Sequence, residues 1–278
     1  MIKTISVLGC GWLGFPLAKA LLNEGFEVKG SVTEPLKFGE MEQAGIRPYR
    51  LVIHESRVEI DDPAFFDSDL VIVAIPPRRT ADVETVFPNQ IRQLTALLER
   101  YKTGKVLFVS STSVYAETAG TATEADELVP GKPSGRALLA AENLLVTNPN
   151  FKTTVLRFGG LIGADRNPAR FLSRKREALD GMKPVNLIHQ DDCIGIIREL
   201  IRQEVWGYTF NACCPVHPTR KEFYERASAV SGWPAPEFTD EREPFKIVDS
   251  TKLIRTLGYQ FKYLSPMDYL SEIVTSDQ

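Results

Sequence analysis

The chain has 278 residues, of which 43% are hydrophobic and 25% charged, a balance typical of a globular protein with a buried core. Its formal net charge of −3 gives no basic excess for a phosphate polymer, so nucleic-acid binding is disfavoured. The β-rich start leaves no room for a signal peptide, and no apolar run reaches the roughly 20 residues of a membrane span. We therefore expect a cytoplasmic protein with no membrane partner.

The four cysteines are Cys10, Cys193, Cys213 and Cys214. Two of them are adjacent, one lies in a glycine turn, and no CxxC spacing suggests zinc. We expect reduced, buried thiols rather than a disulfide framework.

Short β-rich runs alternate with segments of helical period through the first part of the chain. Because strands separated by helices form parallel sheets with right-handed crossovers, this pattern predicts a doubly wound α/β (Rossmann) fold. The run 70–75 is continuously apolar, as expected of a parallel strand buried on both faces, and Pro76-Pro77 ends it. The predicted strands are 4–8, 26–32, 70–75, 105–109, 153–158, 185–189 and 207–212; the predicted helices start near 13 and cover 83–101, a segment around 138–145, and 193–202.

The pattern loosens after about residue 160. A polar turn covers 164–168, a basic run covers 173–176, and helices are predicted near 221–230 and 252–256. We predict a dinucleotide-binding domain over residues 1–160, completed by strands within about 185–215. A smaller substrate lobe is expected over about 161–184 and 216–278.

A glycine-rich turn joins the first predicted strand to the first helix. Gly9, Gly11 and Gly14 form G-x-G-x-x-G, in which glycines permit a tight turn, a close approach of pyrophosphate to the backbone, and close packing of helix on strand. The N–H groups of the turn and of the first helical residues, Trp12 and Leu13 included, then face the phosphates. This context predicts a dinucleotide site.

Cofactor specificity is predicted at the end of the second strand. Ser31 and Thr33 can donate hydroxyl hydrogen bonds to a 2′-phosphate, and Lys37 can reach it. Glu34 argues the other way, because an acidic residue at this point binds the ribose hydroxyls of NAD. On balance the segment favours NADP(H) over NAD.

A run of hydroxyl residues follows the strand 105–109. Ser110, Ser111, Thr112 and Ser113 stand at the carboxyl end of a parallel strand, where open α/β sheets bind ligands. The alternative is a turn whose hydroxyls cap the following backbone.

Four segments, GCGWLG, VSSTSVY, VLRFGGLIG and NLIHQDD, resemble the extended short-chain dehydrogenase/reductase family in order and spacing over roughly residues 1–215. The chain is most similar to an atypical bacterial branch described as NAD-dependent epimerase/dehydratase-like. The resemblance implies that Ser111, four residues before Tyr115, polarises a substrate carbonyl or hydroxyl. It also implies cofactor contacts at Ile75, Pro76, Pro77 and Ser110, and nearby positions for Gly159, Gly160 and Leu161.

The family's catalytic Tyr-x-x-x-Lys pair is replaced in this chain. The segment 133–142 places Ser134 at the tyrosine position and Leu138 at the lysine position. In the family the lysine lowers the pKa of the tyrosine from about 10 and holds the nicotinamide ribose. A serine without an adjacent base is a poor proton carrier, and leucine carries no charge, so the ordinary mechanism cannot operate.

Three residues are candidate replacements. Tyr115 lies near Ser111, although core packing would also explain it. His189 is a second candidate, with a structural, hydrogen-bonded histidine as the alternative. Arg136 could supply the missing cation from the same helix, or be solvated.

The resemblance places further residues around a substrate. They are Thr112, Arg136, Asn167, Arg170, Asn186 and His189, with Arg78, Arg79, Phe171 and Arg220 as weaker candidates. No metal site is expected, because adjacent Asp191 and Asp192 fit a helix N-terminal cap before Ile194 better than a metal pair. The basic run 173–176 fits a solvated face.

Two functions from different classes remain open. One is an NAD(P)-dependent oxidoreductase or epimerase/dehydratase acting on a small hydroxyl- or carbonyl-bearing, sugar-derived or similar, substrate. Ser111 and Ser134 are retained as candidate catalytic hydroxyls, together with Tyr115. The other is a non-catalytic dinucleotide sensor or scaffold. A monomer or homodimer is expected in either case.

Overall fold

The structure is a computed structural model that describes residues 2–163, 165–172 and 177–276. The strands in chain order are β1 (Thr4–Leu8), β2 (Glu27–Val32), β3 (Arg47–Ile53), β4 (Val58–Ile60), β5 (Leu70–Val73), β6 (Lys105–Ser111), β7 (Gly120–Ala122), β8 (Lys152–Phe158), β9 (Gly160–Ile162), β10 (Leu179–Asp180), β11 (Leu187–His189), β12 (Thr209–Ala212), β13 (Phe238–Thr239) and β14 (Lys246–Val248). The helices are α1 (Gly14–Asn23), α2 (Phe38–Gln43), α3 (Val83–Arg100), α4 (Pro133–Val146), α5 (Pro168–Leu172), α6 (Gln190–Arg202), α7 (Arg220–Ser231), α8 (Thr251–Leu257) and α9 (Pro266–Ser276).

The main sheet has the strand order β12-β8-β6-β5-β1-β2-β3-β4. β1 pairs in parallel with β2 and β5, β2 with β3, and β5 with β6, whereas β4 is antiparallel to β3. The chain therefore proceeds outwards from β1 in one direction and then returns to continue from β5 in the other. This confirms the predicted doubly wound Rossmann fold, and the switch in direction lies between β1 and β5, where such sheets bind ligands.

Several element boundaries differ from the predicted ones. β5 ends at Val73 rather than at residue 75, because the backbone already leaves the ladder before the two prolines. Ten of the elements were not predicted: α2, β3, β4, β7, β9, α5, β10, β13, β14 and α9. After the exposed Arg47, β3 (RPYRLVI) alternates partly buried and buried residues, and its proline and two arginines interrupt the apolar pattern.

The chain divides into two compact units. The first comprises the described residues of Met1–Tyr115, Leu128–Arg157 and Ile197–Phe210. The second comprises those of Ala116–Glu127, Phe158–Ile196 and Asn211–Gln278, and holds an apolar core with Ile162, Phe223 and Leu270. No helix in the described part of the chain is both long and apolar enough to cross a bilayer. All four cysteines are free and buried.

The second unit contains a buried carboxylate that the sequence interpretation misplaced. The predicted N-terminal cap at Asp191 and Asp192 is wrong, because α6 already begins at Gln190 and both aspartates lie in its first turn. The cap contact is made by the His189 ring, whose Nδ1 accepts a hydrogen bond from the Asp191 N–H at 3.1 Å.

Asp192 instead holds the segment that connects α8 to α9. It is fully buried and accepts hydrogen bonds from the Tyr259 hydroxyl at 3.0 Å and from the backbone N–H groups of Lys262 at 2.7 Å and Tyr263 at 3.2 Å. Burial raises the pKa of Asp192, and the three donors oppose that shift. At Gly195 a Cβ would lie 2.3 Å from the Tyr259 hydroxyl oxygen, so a glycine is needed for this packing.

Asp192→Ala is expected to lower the free energy of unfolding by about 3 kcal/mol, because it removes the buried carboxylate that accepts all three hydrogen bonds and leaves the buried Tyr263 N–H without an acceptor. Asp191→Ala is the matched control in the same helical turn. Asp191 is half-exposed and pairs with Lys262, so its removal is expected to cost less than about 1 kcal/mol. Urea unfolding of both variants measures the difference, and equal losses would contradict this role for Asp192.

Candidate functional site

The turn between β1 and α1 uses its three glycines for three different purposes. Gly9 has a φ of +99°, a backbone conformation that residues other than glycine rarely adopt. A Cβ on Gly14 would lie 2.1 Å from the Gly9 carbonyl oxygen, so only glycine lets α1 start this close to the turn. A Cβ on Gly11 would meet no atom within 4 Å in the described part of the chain. Gly11 is therefore the glycine that packing within the chain does not require.

The surroundings of this turn suit a dinucleotide. The first N–H groups of a helix have no acceptor inside the helix and carry its positive dipole end, which favours phosphate. The turn follows β1 at the point where the strand order reverses. Ile75 Cγ2 lies 2.9 Å from the position of a Gly9 Cβ, which places the Ile75-Pro76-Pro77 segment after β5 beside the turn. Trp12 is partly buried and Leu13 is buried.

Ser31 supports the turn from β2. Its side chain is only 1% exposed, and its Oγ accepts a hydrogen bond from the Gly9 N–H at 3.1 Å. Its carbonyl oxygen accepts another from the Cys10 N–H at 2.8 Å. This corrects the expected exposure of Ser31 to a 2′-phosphate, because its hydroxyl is enclosed against the backbone of the turn. Thr33, Glu34 and Lys37 are exposed.

The hydroxyl run continues from β6 into a short 3-10 turn over Thr112–Val114. Ser111 is partly exposed, and its Oγ accepts a hydrogen bond from the Ser113 N–H at 3.2 Å. Its hydroxyl hydrogen remains available for donation to another acceptor. Thr112 is buried at 6% exposure. Ser111 thus caps the following backbone, as in the turn considered as an alternative, and is also accessible to solvent.

Ser134 and Leu138 lie on α4, which begins at Pro133. Ser134 is partly buried in the first turn, and Leu138 is 5% exposed and packs in the core. A Cβ on Gly135 would lie 2.3 Å from the Ser113 carbonyl oxygen, so α4 passes directly against the hydroxyl turn. The helix therefore occupies the expected place but presents an apolar side chain at position 138.

Arg136 points away from this turn to a partner on α3. Its Nε and Nη2 donate to the two carboxylate oxygens of Glu84 at 2.7 Å each, and both side chains are largely exposed. The pair holds the pKa of Glu84 below and that of Arg136 above their usual values. The charge of Arg136 is thus already matched by a surface ion pair.

A buried polar network, which we call the Arg157 network, lies beneath the hydroxyl turn and consists of Ser110, Tyr115, Glu142 and Arg157. Arg157 donates through Nε and Nη2 to Glu142, with a shortest distance of 2.7 Å, and through Nη1 to the Tyr115 hydroxyl at 2.6 Å. The Ser110 hydroxyl donates to Glu142 at 2.5 Å. Burial opposes the charge of Arg157, but Glu142 holds its pKa above the usual value.

Sequence reasoning did not identify Glu142 and Arg157. The available signal was an ionisable residue in each of two apolar contexts, the buried face of α4 and the strand TTVLRF. Buried charges are rare unless paired, so each predicted the other. Tyr115, by contrast, was a predicted candidate, and it is 3% exposed and bound to Arg157.

The remaining substrate candidates belong to the second unit. Asn167 accepts a hydrogen bond from the Ala169 N–H at the start of α5, and Arg170 is exposed on that helix. The Asn186 side chain bonds to β14, donating to the Lys246 carbonyl and accepting from the Val248 N–H. His189 is 6% exposed, and burial lowers its pKa.

Arg220 and the basic run 173–176 are two further features singled out in the sequence of the predicted substrate lobe. Arg220 is paired with Glu243. The basic run 173–176 lies outside the described residues. No group of three or more His, Cys, Asp or Glu side chains that could hold a metal ion occurs among the residues described.

Comparisons with known proteins show the same Rossmann fold. The family described as the NAD binding domain of 6-phosphogluconate dehydrogenase matches residues 4–129. Among solved structures, MoeE5 in complex with UDP-glucose and NAD has a TM-score of 0.81 at 18% identity, covering 98% of both chains. UDP-glucuronic acid 4-epimerase from Bacillus cereus in complex with NAD has a TM-score of 0.77 at 20% identity, covering 98% of this chain and 100% of that one.

A curated relative is closer in sequence. Protein YeeZ of Escherichia coli (strain K12) is 33% identical over 270 residues, which cover 96% of this chain and 98% of YeeZ. The chain therefore belongs to the YeeZ family, and its fold is the NAD-binding Rossmann fold of the NAD-dependent epimerase/dehydratase and short-chain dehydrogenase/reductase structures.

Proposed function

We propose that the chain binds a nicotinamide dinucleotide at the Gly9–Gly14 turn and acts as an oxidoreductase or epimerase/dehydratase on a small hydroxyl- or carbonyl-bearing substrate. The observation that carries the proposal is Gly11, which lies in the turn where the strand order reverses and is a glycine although no atom of the described chain crowds its Cβ position. A ligand that approaches the backbone explains this choice of residue. NAD in the structures of MoeE5 and the Bacillus cereus epimerase supports the same ligand.

The proposed cofactor contacts follow the residues of the turn and of its neighbours. The backbone of Gly9, Gly11, Trp12, Leu13 and Gly14 would hold the diphosphate, with Ile75, Pro76 and Pro77 beside it. Ser110 is a weaker candidate, because its hydroxyl is buried against Glu142. When bound, a nicotinamide supplies hydride transfer to or from a carbon that carries oxygen.

Ser111 is the residue that we propose orients the substrate. Because its oxygen accepts from the Ser113 N–H, its own hydrogen can be donated to a substrate carbonyl or hydroxyl oxygen. Reduction of a carbonyl needs such a donor and a proton that water can deliver. Oxidation of an alcohol needs a base, which Ser134 and Leu138 do not supply. The site is therefore better suited to stabilising a developing alkoxide than to removing a proton.

NADP(H) remains the proposed preference. Thr33 and Lys37 are both exposed just beyond β2, so both side chains are accessible to a 2′-phosphate. Glu34 is the opposing feature, because a carboxylate here suits the ribose hydroxyls of NAD.

A non-catalytic dinucleotide sensor or scaffold is the second candidate function. The observation in its favour is the buried Leu138, which supplies neither the charge nor the ribose hydrogen bond of the usual lysine. Dinucleotide binding is common to both candidates, so turnover separates them.

Gly11→Ala is expected to weaken dinucleotide binding by at least about 10-fold, equal to about 1.4 kcal/mol, without lowering the thermal midpoint, because the added methyl group enters the ligand space only. Calorimetric titration with NADPH and NADH measures the loss. Gly104→Ala is the matched control, since its Cβ also meets nothing within 4 Å in the described chain and it lies at the opposite end of β6. Unchanged affinity in Gly11→Ala would contradict the proposed site.

Lys37→Ala is expected to weaken NADPH binding by about 10-fold and to leave NADH binding within about 2-fold, because only NADPH carries the 2′-phosphate. Lys152→Ala, at the amino end of β8, is the control for a lost surface charge. Tighter binding of NADH than NADPH by the unaltered chain would overturn the NADP(H) preference.

Ser111→Ala is expected to lower turnover by about 100-fold or more while dinucleotide affinity stays unchanged, because it removes the donor to the substrate oxygen. The assay follows NADPH or NADH oxidation with aldehydes, ketones and nucleotide sugars, and Ser113→Ala serves as the control in the same turn. Tight dinucleotide binding with no turnover on the whole panel would favour the sensor.

A further inference from the structure

The Arg157 network joins both ends of the hydroxyl turn to one ion pair. Glu142 receives the hydroxyl of Ser110, the residue just before Ser111, and Arg157 donates to the hydroxyl of Tyr115, the residue just after the 3-10 turn. Glu142 and Arg157 bind each other through three contacts of 2.7–3.2 Å. The segment 111–114 is thus spanned by a closed chain of hydrogen bonds.

The network is buried to a degree that makes it costly. Ser110, Tyr115, Glu142 and Arg157 are each 3–5% exposed. Desolvating two charges largely cancels their attraction, and buried ion pairs can often be replaced by apolar residues of similar size without loss of stability. Stability alone therefore does not explain an ion pair at this place. Its five hydrogen bonds, however, fix positions in a way that apolar packing does not.

Tyr115 is oriented for anchoring rather than for contact with a substrate. Its hydroxyl accepts from Arg157 at 2.6 Å, and the guanidinium carbon lies 5.1 Å from the centre of its ring. With the residue 3% exposed, both its ring and its hydroxyl are held inside the first unit.

We propose that Glu142 and Arg157 are positioning residues that hold the 111–114 turn so that Ser111 presents its hydroxyl to the substrate, and that Tyr115 is an anchor of this turn rather than the proton carrier. The inference rests on the proposed function of Ser111. It assigns a role to a buried cation that stands beneath the turn, although Leu138 leaves the usual cation position apolar.

The first test is a double-mutant cycle that combines Glu142→Leu/Arg157→Met with Ser111→Ala. The apolar pair is expected to lower kcat by about 100-fold with KM and dinucleotide affinity within about 3-fold of the unaltered values, because a misplaced group loses turnover more than binding. Adding Ser111→Ala should then lower kcat by less than 3-fold more, since the hydroxyl is already out of place. Additive losses would overturn the proposal. Glu199→Gln/Arg202→Met, a surface ion pair on α6, is the control.

Tyr115→Phe separates an anchor from a proton carrier. If Tyr115 is an anchor, Tyr115→Phe is expected to lower kcat by about 10-fold with an unchanged pH profile, because only the hydrogen bond from Arg157 to Tyr115 is lost. A proton carrier would instead lose nearly all turnover together with one limb of the pH profile. That result would overturn the assignment of Tyr115. Arg157→Lys should restore part of kcat relative to Arg157→Met, because it keeps the charge opposite Glu142.

Amide hydrogen exchange tests whether the Arg157 network holds the 111–114 turn, and it needs no turnover. In dinucleotide-loaded protein, Tyr115→Phe and Glu142→Leu/Arg157→Met are expected to speed exchange at residues 111–114 by at least about 10-fold, with β1 and the glycine turn unchanged. Unchanged protection of residues 111–114 in a folded variant would overturn the proposal that the Arg157 network holds this turn. Failure of the proposed function shows itself differently, as absence of turnover in the unaltered chain with the exchange difference still present.

Discussion

Among the described glycines of the first unit, Gly14 has the least room for a side chain, because it packs against the carbonyl of Gly9. No other residue fits at position 14, because a Cβ would lie 2.1 Å from that oxygen. This contact sets where α1 begins relative to β1, and it thereby aims the first helical N–H groups at the space beside Gly11. The proposed cofactor site, the role of Ile75–Pro77 and the support from Ser31 all depend on this start of the helix.

The hydroxyl turn after β6 is exposed on one side and rests on buried charged residues on the other. Ser111 is partly exposed at the end of β6. Glu142 and Arg157 lie beneath it and pair with each other, and Glu142 also bonds to Ser110 while Arg157 bonds to Tyr115. We propose that this arrangement keeps the shape of the 111–114 turn, although position 138, where the resemblance implies a lysine, carries a leucine.

The fold was predictable from the sequence where hydrophobic period and glycine spacing act together. The apolar run at β5 and the turn at Gly9, Gly11 and Gly14 identify a doubly wound sheet, because parallel strands are buried on both faces and the turn needs glycine. β3 escaped prediction because its proline and two arginines interrupt the apolar pattern. The cap expected from Asp191 and Asp192 is absent because the His189 ring makes that contact. The Asp192 carboxylate instead binds the backbone of the segment between α8 and α9.

The candidate site was predictable only in part, since motif position gives the element but not the direction of a side chain. Ser111 stands where the resemblance placed it, at the end of β6. Ser31 and Arg136 illustrate the limit, because one hydroxyl turns inwards to Gly9 and one guanidinium turns outwards to Glu84. The decisive measurement is a crystal structure of the chain grown with NADPH. We expect diphosphate oxygens against the backbone N–H groups of Gly11 to Leu13; a dinucleotide bound elsewhere, or none at saturating concentration, would contradict the proposed site.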